Sequence, residues 1–166
     1  MNYPSEPKPT DGKRILLIED DCVNRQLLCE YLAYCNYHVF SIGLGSQFFE
    51  AIASFQPALI LLDLRLPDIC GFTLLEQLYH DKRYRNIPTV VTSALASKVD
   101  QERALSLGVS HYLVKPFDLL QLQHLLQKLI PSASRGNCFP KKRCPIASLP
   151  KNHAKGSKFR SALLAV

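Results

Sequence analysis

Apolar residues gather in four short, nearly uninterrupted runs: Ile15-Leu16-Leu17-Ile18, Ala58-Leu59-Ile60-Leu61-Leu62, Thr89-Val90-Val91-Thr92 and Tyr112-Leu113-Val114. A fifth run, Tyr37-His38-Val39-Phe40-Ser41, is more alternating. Runs this short with no polar face predict strands covered on both sides, as in a parallel sheet. Between them the apolar positions switch to helical spacing. Val23, Leu27, Leu28, Tyr31 and Leu32 mark one stripe, Phe48, Phe49, Ile52 and Ala53 a second, and Leu74, Leu75, Leu78 and Tyr79 a third. Val99 to Leu107 and Leu119 to Ile130 supply a fourth and a fifth. Ser97 with Asp100 predicts a capped start for the fourth helix and Gly108 its stop. Asp21 and Asp118 serve as caps for the first and fifth.

Strand and helix thus alternate five times between residues 13 and 130. That order predicts an α/β fold with a doubly wound parallel sheet. Right-handed crossovers then place helices on both faces. Ligands of such sheets bind beyond the carboxyl ends of the strands, near the point where strand order reverses.

The residues that follow each strand are therefore the candidates for chemistry. Glu19, Asp20 and Asp21 follow the first strand, Asp63 the third, Ser93 and Ala94 the fourth, and Lys115 with Pro116 the fifth. Singly, each has an ordinary explanation: Asp21 as a helix cap, Lys115 as a solvated charge, Ser93 as a loop hydroxyl. Jointly they do not, because all fall at the same structural position. Asp63 also closes an apolar run, where packing has no use for a carboxylate. Crowded carboxylates either hold protons or recruit a cation. Oxygen donors of this kind suit Mg²⁺, which accepts one or two carboxylates plus phosphate oxygens. A carboxylate beside such an ion can attack phosphorus and form an acyl phosphate. The metal and an ammonium then neutralise charge on the transferring group. Lys115 is placed for that role, and the Ser93 hydroxyl for donating to a phosphoryl oxygen. No glycine-rich phosphate loop follows the first strand, which disfavours direct nucleotide binding and a flavodoxin-like nucleotide or flavin enzyme.

Composition refines this picture. With 166 residues, 47% hydrophobic and 20% charged, the chain is an ordinary globular protein. No apolar run approaches the roughly 18 residues of a membrane helix. The first residues lack the apolar segment of a secretory signal. A cytoplasmic protein without a membrane span is the expectation. The net charge of +6 divides unevenly. Residues 1–130 hold 12 Lys and Arg against 14 acids, whereas residues 131–166 hold eight, from Arg135 to Arg160, with no acid. Three parts follow: a flexible segment 1–12, a mildly acidic domain 13–130 and a basic tail 131–166 expected to be disordered. At 36 residues the tail is too short for a winged-helix output domain. Its charge could still bind nucleic acid nonspecifically. The cysteines at 22, 29, 35, 70, 138 and 144 form no CxxC pair, and His153 lacks zinc-finger spacing from Cys138 and Cys144. Reduced, partly buried thiols are expected at all six.

At this point the chain resembles the receiver domain of two-component response regulators. The likeness is carried by Ile18-Glu19-Asp20-Asp21, by Leu61-Leu62-Asp63-Leu64-Arg65-Leu66-Pro67-Asp68 with Gly71, by Thr92-Ser93-Ala94-Leu95-Ala96, and by Tyr112-Leu113-Val114-Lys115-Pro116-Phe117. The resemblance implies the flavodoxin-like (CheY-like) five-stranded sheet of order 2-1-3-4-5. It implies Asp63 as phosphoacceptor, with Glu19, Asp20, Asp63 and the Arg65 backbone carbonyl coordinating Mg²⁺. Ser93 would be the switch hydroxyl, Tyr112 the switch aromatic, and Lys115 the phosphate-pairing lysine, with a cis bond to Pro116. The implied function is phosphorelay signalling: acceptance of a phosphoryl group from the phospho-histidine of a sensor histidine kinase or histidine phosphotransfer protein. Such a domain is a phosphoacceptor that assists its own phosphotransfer and dephosphorylation, rather than a conventional enzyme. Gly43-Leu44-Gly45-Ser46 stands where family members commonly carry Asn-Gly or Asp-Gly, and this loop is expected to lie apart from the chemistry. Arg65 is expected to affect the lifetime of the aspartyl phosphate.

Output is expected through the face formed by the fourth helix, fifth strand and fifth helix, toward an unidentified downstream protein or a second copy of the chain. Leu119, Leu120, Leu122, Leu125, Leu126, Leu129 and Ile130 exceed what one narrow stripe requires. Either some of them face a partner or the stripe is a wide core face. The alternative function is a nucleic-acid-binding regulator that uses the basic tail under receiver control.

Overall fold

The computed structural model describes residues 14–130. The expected segment 1–12, the tail 131–166, Cys138, Cys144 and the proposed nucleic-acid contacts of the tail lie outside the described residues. The elements run β1 (Arg14–Ile18), α1 (Cys22–Tyr34), β2 (His38–Ile42), a 3-10 turn (Gly45–Gln47) and α2 (Phe48–Phe55). Then follow β3 (Leu59–Leu62), α3 (Gly71–His80), β4 (Thr89–Ser93), α4 (Lys98–Leu107), β5 (His111–Val114) and α5 (Leu119–Leu129). The strands form one parallel sheet in the order β2-β1-β3-β4-β5. This is the doubly wound order expected.

Side chains alternate across a strand, and that alternation divides the core in two. Leu16, Ile18, Ile60, Leu62 and Val91 point to one face and meet Phe48, Ile52, Leu74, Leu75, Leu78 and Ala104 of α2, α3 and α4. Ile15, Leu17, Leu59, Leu61, Val90 and Leu113 point to the other and meet Leu28, Leu32, Leu122 and Leu126 of α1 and α5. The uninterrupted runs in β1, β3 and β4 are buried on both sides. β2, the alternating run, is an edge strand.

Helix ends follow the polar signals in the sequence. The Asp21 side chain accepts from the Asn24 N–H at 2.8 Å, Ser97 from Asp100 at 3.1 Å, and Asp118 from Leu120 at 2.8 Å. Gly108 ends α4 at φ 113°, with the Tyr79 ring 3.2 Å from where a Cβ would stand. That backbone region is strained for any residue with a Cβ.

Helix faces depart from the expected stripes. Val23 and Leu27 are 70% and 52% exposed, while Leu28 and Leu32 are buried. Adjacent residues lie about 100° apart around a helix, so seating Leu28 on the sheet turns Leu27 outward. On α2 the buried alanine is Ala51, and Ala53 is exposed. On α4 only Ala104 is fully buried, and Val99 and Leu105 face out. The leucine surplus of α5 resolves into a wide core face. Leu122, Leu126 and Ile130 are buried, Leu119, Leu125 and Leu129 are half-buried against the same cluster, and Leu120 is exposed. Two thiols depart as well: Cys22 and Cys70 are exposed, whereas Cys29 and Cys35 are half-buried, and none of the four forms a disulfide. Both exposed cysteines stand at the starts of helices, beyond the strand edges, where no core covers them.

Candidate functional site

Backbone pairing continues one residue past the strands and sets the site's first dimension. Ile18 sits opposite Leu62 in the register of β1 and β3, so Glu19 and Asp63 emerge side by side. The Glu19 N–H donates to Ile42 O at 3.1 Å, that of Asp63 to Ile18 O at 2.9 Å, and that of Lys115 to Ser93 O at 2.9 Å. Three strands thereby deliver their next residues to one edge with little freedom left in the backbone.

At that edge one carboxylate oxygen from each of Glu19, Asp20 and Asp63 lies within 4.8 Å of the other two. Glu19 and Asp63 are buried, and Asp20 is exposed. Lys115 Nζ donates to Glu19 Oε2 at 2.6 Å and to Asp63 Oδ2 at 2.5 Å. The other oxygen of Asp63, Oδ1, accepts from the Arg65 N–H at 2.9 Å, while the Arg65 side chain is exposed. Burial raises the Glu19 carboxyl above its ordinary range; the Lys115 hydrogen bond and charge pull it down, the Asp63 charge pushes it up, and the Asn24 amide lowers it slightly. Burial also opposes the Lys115 ammonium, but hydrogen bonds and charges from Asp63 and Glu19 together outweigh it and hold Lys115 above its ordinary value. Three carboxylates against one ammonium leave negative charge uncompensated. All the donors are hard oxygens, the set that suits Mg²⁺.

Ser93, fully buried at the end of β4, accepts from the Leu95 N–H at 3.3 Å. The Tyr112 hydroxyl donates to the Leu95 carbonyl at 2.8 Å, and its ring is half-buried against the α2–α4 side of the core. Burial raises the Tyr112 hydroxyl's pKa, and the neighbouring Ser93 hydroxyl offsets part of the rise. Ser93 and Tyr112 therefore grip the same residue, Leu95, from opposite ends of its backbone. The Lys115–Pro116 bond is cis, as the resemblance implied.

Several contributors escaped the sequence reading. Arg25 Nη1 donates to the carbonyls of Glu19 and Asp20 at 2.6 and 3.0 Å. The Asp68 carboxylate accepts from the N–H groups of Gly45 and Ser46, each at 2.8 Å. The loop after β2 is therefore tied to the loop that carries Arg65. A Cβ at Gly71 would stand 2.5 Å from Leu64 Cα, so only glycine permits that approach. Asp68 and Gly71 were visible as motif positions, but their partners were not, because both act on backbone atoms of loops.

Fold and edge together define a class: a CheY-like α/β domain with an acidic pocket beside a lysine at the switch point of its sheet. Residues 15–127 match the family model of the response regulator receiver domain, and the chain belongs to that family. Receiver domains are phosphoacceptor signalling domains of two-component systems. The chain is 32% identical over 123 residues to the transcriptional regulatory protein GltR of Pseudomonas aeruginosa, which covers 74% of this chain and 51% of that protein. It is 28% identical over 107 residues to the polar-differentiation response regulator DivK of Brucella ovis, covering 64% of this chain and 87% of that one. The chain spans about half the length of GltR and of several other curated regulators it matches. Among solved structures, the BeF3-activated receiver domain of Klebsiella pneumoniae RstA superposes with a TM-score of 0.67 at 28% identity, over 72% of this chain and 99% of that one. The receiver domain of the sensor histidine kinase PA1611 from Pseudomonas aeruginosa, with magnesium coordinated in its active-site cleft, gives 0.66 at 32% identity, over 73% and 99%. No helix among the described residues is long and apolar enough to cross a membrane.

Proposed function

We propose that this chain accepts a phosphoryl group onto Asp63 from the phospho-histidine of a sensor histidine kinase or histidine phosphotransfer protein, and signals through phosphorylation-dependent protein contacts. The observation that carries the reading is the pairing of Asp63 Oδ2 with Lys115 at 2.5 Å inside an oxygen cluster no wider than 4.8 Å. Glu19, Asp20, Asp63 and the Arg65 backbone carbonyl would hold Mg²⁺. Bound there, the ion supplies positive charge to the phosphoryl oxygens. An Asp63 carboxylate oxygen attacks phosphorus, the bond from phosphorus to the donor's imidazole nitrogen breaks, and the imidazole leaves with its electron pair. Lys115 loses an Asp63 partner and turns its ammonium to the phosphoryl oxygens. Ser93 donates its hydroxyl to one of them. The same residues act on a water that later returns Asp63 to its free form.

Incubation with acetyl phosphate and Mg²⁺ followed by intact mass tests the reading. One phosphoryl adduct is expected on the parent and none on Asp63→Asn; an adduct on both, or on neither, rejects it. Output through α4, β5 and α5 fits the exposure of Val99, Leu105 and Leu120 on those helices. The nucleic-acid alternative rests on residues 131–166 and gains no support from the described ones.

A further inference from the structure

We propose that Arg25, in the first half of α1, is a positioning residue that holds the β1–α1 loop in its ion-binding shape by clamping the carbonyls of Glu19 and Asp20. The proposal rests on the reading of Glu19, Asp20 and Asp63 as the Mg²⁺ site. One guanidinium nitrogen spans both carbonyls, at 2.6 and 3.0 Å. These belong to the two consecutive residues whose side chains provide two of the three clustered carboxylates. A peptide unit is planar, so fixing a carbonyl also fixes the neighbouring Cα atoms and the directions in which their side chains leave. The loop is anchored on either side of this clamp. Upstream, the Glu19 N–H is held by Ile42 O at 3.1 Å; downstream, Asp21 accepts from Asn24 and Arg25 N–H groups at 2.8 and 2.9 Å. Arg25 supplies donors to the span between those anchors.

Gly43 completes the device. A Cβ at position 43 would stand 3.0 Å from Arg25 Nη1 and 3.4 Å from its Cζ. The bare glycine after β2 leaves the space that the guanidinium fills. This gives the loop after β2 a second link to the site, separate from the bonds between Asp68 and Gly45–Ser46.

Charge and orientation act with opposite signs here, and the sign separates them. A cation close behind three carboxylates, acting through charge alone, weakens the binding of a divalent cation. A group that orients ligands strengthens it, because Mg²⁺ demands near-octahedral geometry and dehydrates reluctantly. Residues that orient ligands from behind typically cost 10–100-fold in metal affinity when removed.

The test is a titration of the full chain with Mg²⁺ alone, followed by calorimetry or by the amide shifts of Glu19, Asp20 and Asp63, with melting temperature measured in parallel. Arg25→Ala is expected to weaken Mg²⁺ binding about tenfold. Arg25→Lys, which keeps the charge on a shorter side chain without the planar guanidinium fork, is expected between Ala and the parent. Gly43→Ala, which keeps the arginine but displaces it, is expected to weaken binding in the same direction. Should Arg25→Ala fail to fold, Arg25→Lys and Gly43→Ala decide the matter. A melting temperature that falls while Mg²⁺ affinity holds would reduce Arg25 to a structural role and overturn the proposal. Tighter binding in Arg25→Ala would overturn it too, by showing that charge dominates. If instead the parent itself bound no Mg²⁺, the reading of the site beneath the proposal would fail.

Discussion

Asp68 shows how much a single exposed side chain can organise. Its carboxylate accepts N–H groups from Gly45 and Ser46 across the gap between two loops, and from Ile69 within its own. Hydrogen bonds of this kind favour the ionised form. The Ser46 N–H chiefly, joined by the Gly45 N–H and the Ser46 hydroxyl and opposed by burial, holds the Asp68 pKa at about 2 from an ordinary 3.8. A depressed carboxyl contributes stability that is present above its unfolded value and lost as pH falls through its folded one. Melting temperature is therefore expected to drop more steeply between 3.8 and about 2 in the parent than in Asp68→Asn. Parallel acid titrations of the two would refute this. Glu19 carries the opposite sign: its raised carboxyl contributes stability below 4.5 that is lost as pH rises through the folded value. The fold therefore tolerates a cost at neutral pH at the position proposed to hold the ion, a cost that a bound cation would relieve.

At the scale of elements, burial sorts the leucines of α5 into separate tasks. Leu126 is fully buried between α1, the sheet and the rest of α5, and Leu120 is 58% exposed. Leu126→Ala is expected to cost about 2–5 kcal/mol in urea unfolding. Leu120→Ala is expected to stay within about 0.5 kcal/mol, leaving it free for any partner. Equal losses would contradict the burial pattern. The same contrast explains what the sequence could tell. β1, β3 and β4 were legible because strands covered on both faces must be apolar throughout. Glu19, Asp63, Ser93 and Lys115 were legible because each interrupts or follows such a run at a fixed position. The burying face of α1 was not, since Val23, Leu27, Leu28 and Leu32 are all apolar and only contact with the sheet decides between two rows. The roles of Arg25 and Asp68 were not legible either, because their partners are backbone groups of loops and leave no side-chain signature. The tie between the loop after β2 and the loop that carries Arg65 was hidden for the same reason.

Across the whole molecule, the proposed signal must travel from Asp63 to α4, and the route available is short. Ser93 Oγ accepts from the Leu95 N–H at 3.3 Å, a long bond, while Tyr112 holds the Leu95 carbonyl at 2.8 Å. A phosphoryl oxygen on Asp63, accepting from the Ser93 hydroxyl, would draw Ser93 toward Asp63 and pull on this chain through the Leu95 N–H. The Tyr112 ring is already half-buried, and its hydroxyl holds Leu95. Arg103 pairs with Glu76 of α3 at 3.0 Å and stacks 4.3 Å over the Phe72 ring, which restrains α4 against its neighbour. A ligand shifts such an equilibrium only by its differential interaction with the two states. Tyr112→Phe removes the hydroxyl and leaves Glu19, Asp63 and Lys115 untouched, at a cost of about 0.5–1.5 kcal/mol for one hydrogen bond. Beryllofluoride binding is expected at parental affinity within that margin, while the amide shifts it induces along α4 shrink. Arg103→Ala is the complementary change, expected to enlarge the same shifts by freeing α4 from α3. If Tyr112→Phe transmits the full parental shift to α4, the path runs through packing of the ring and not through its hydroxyl.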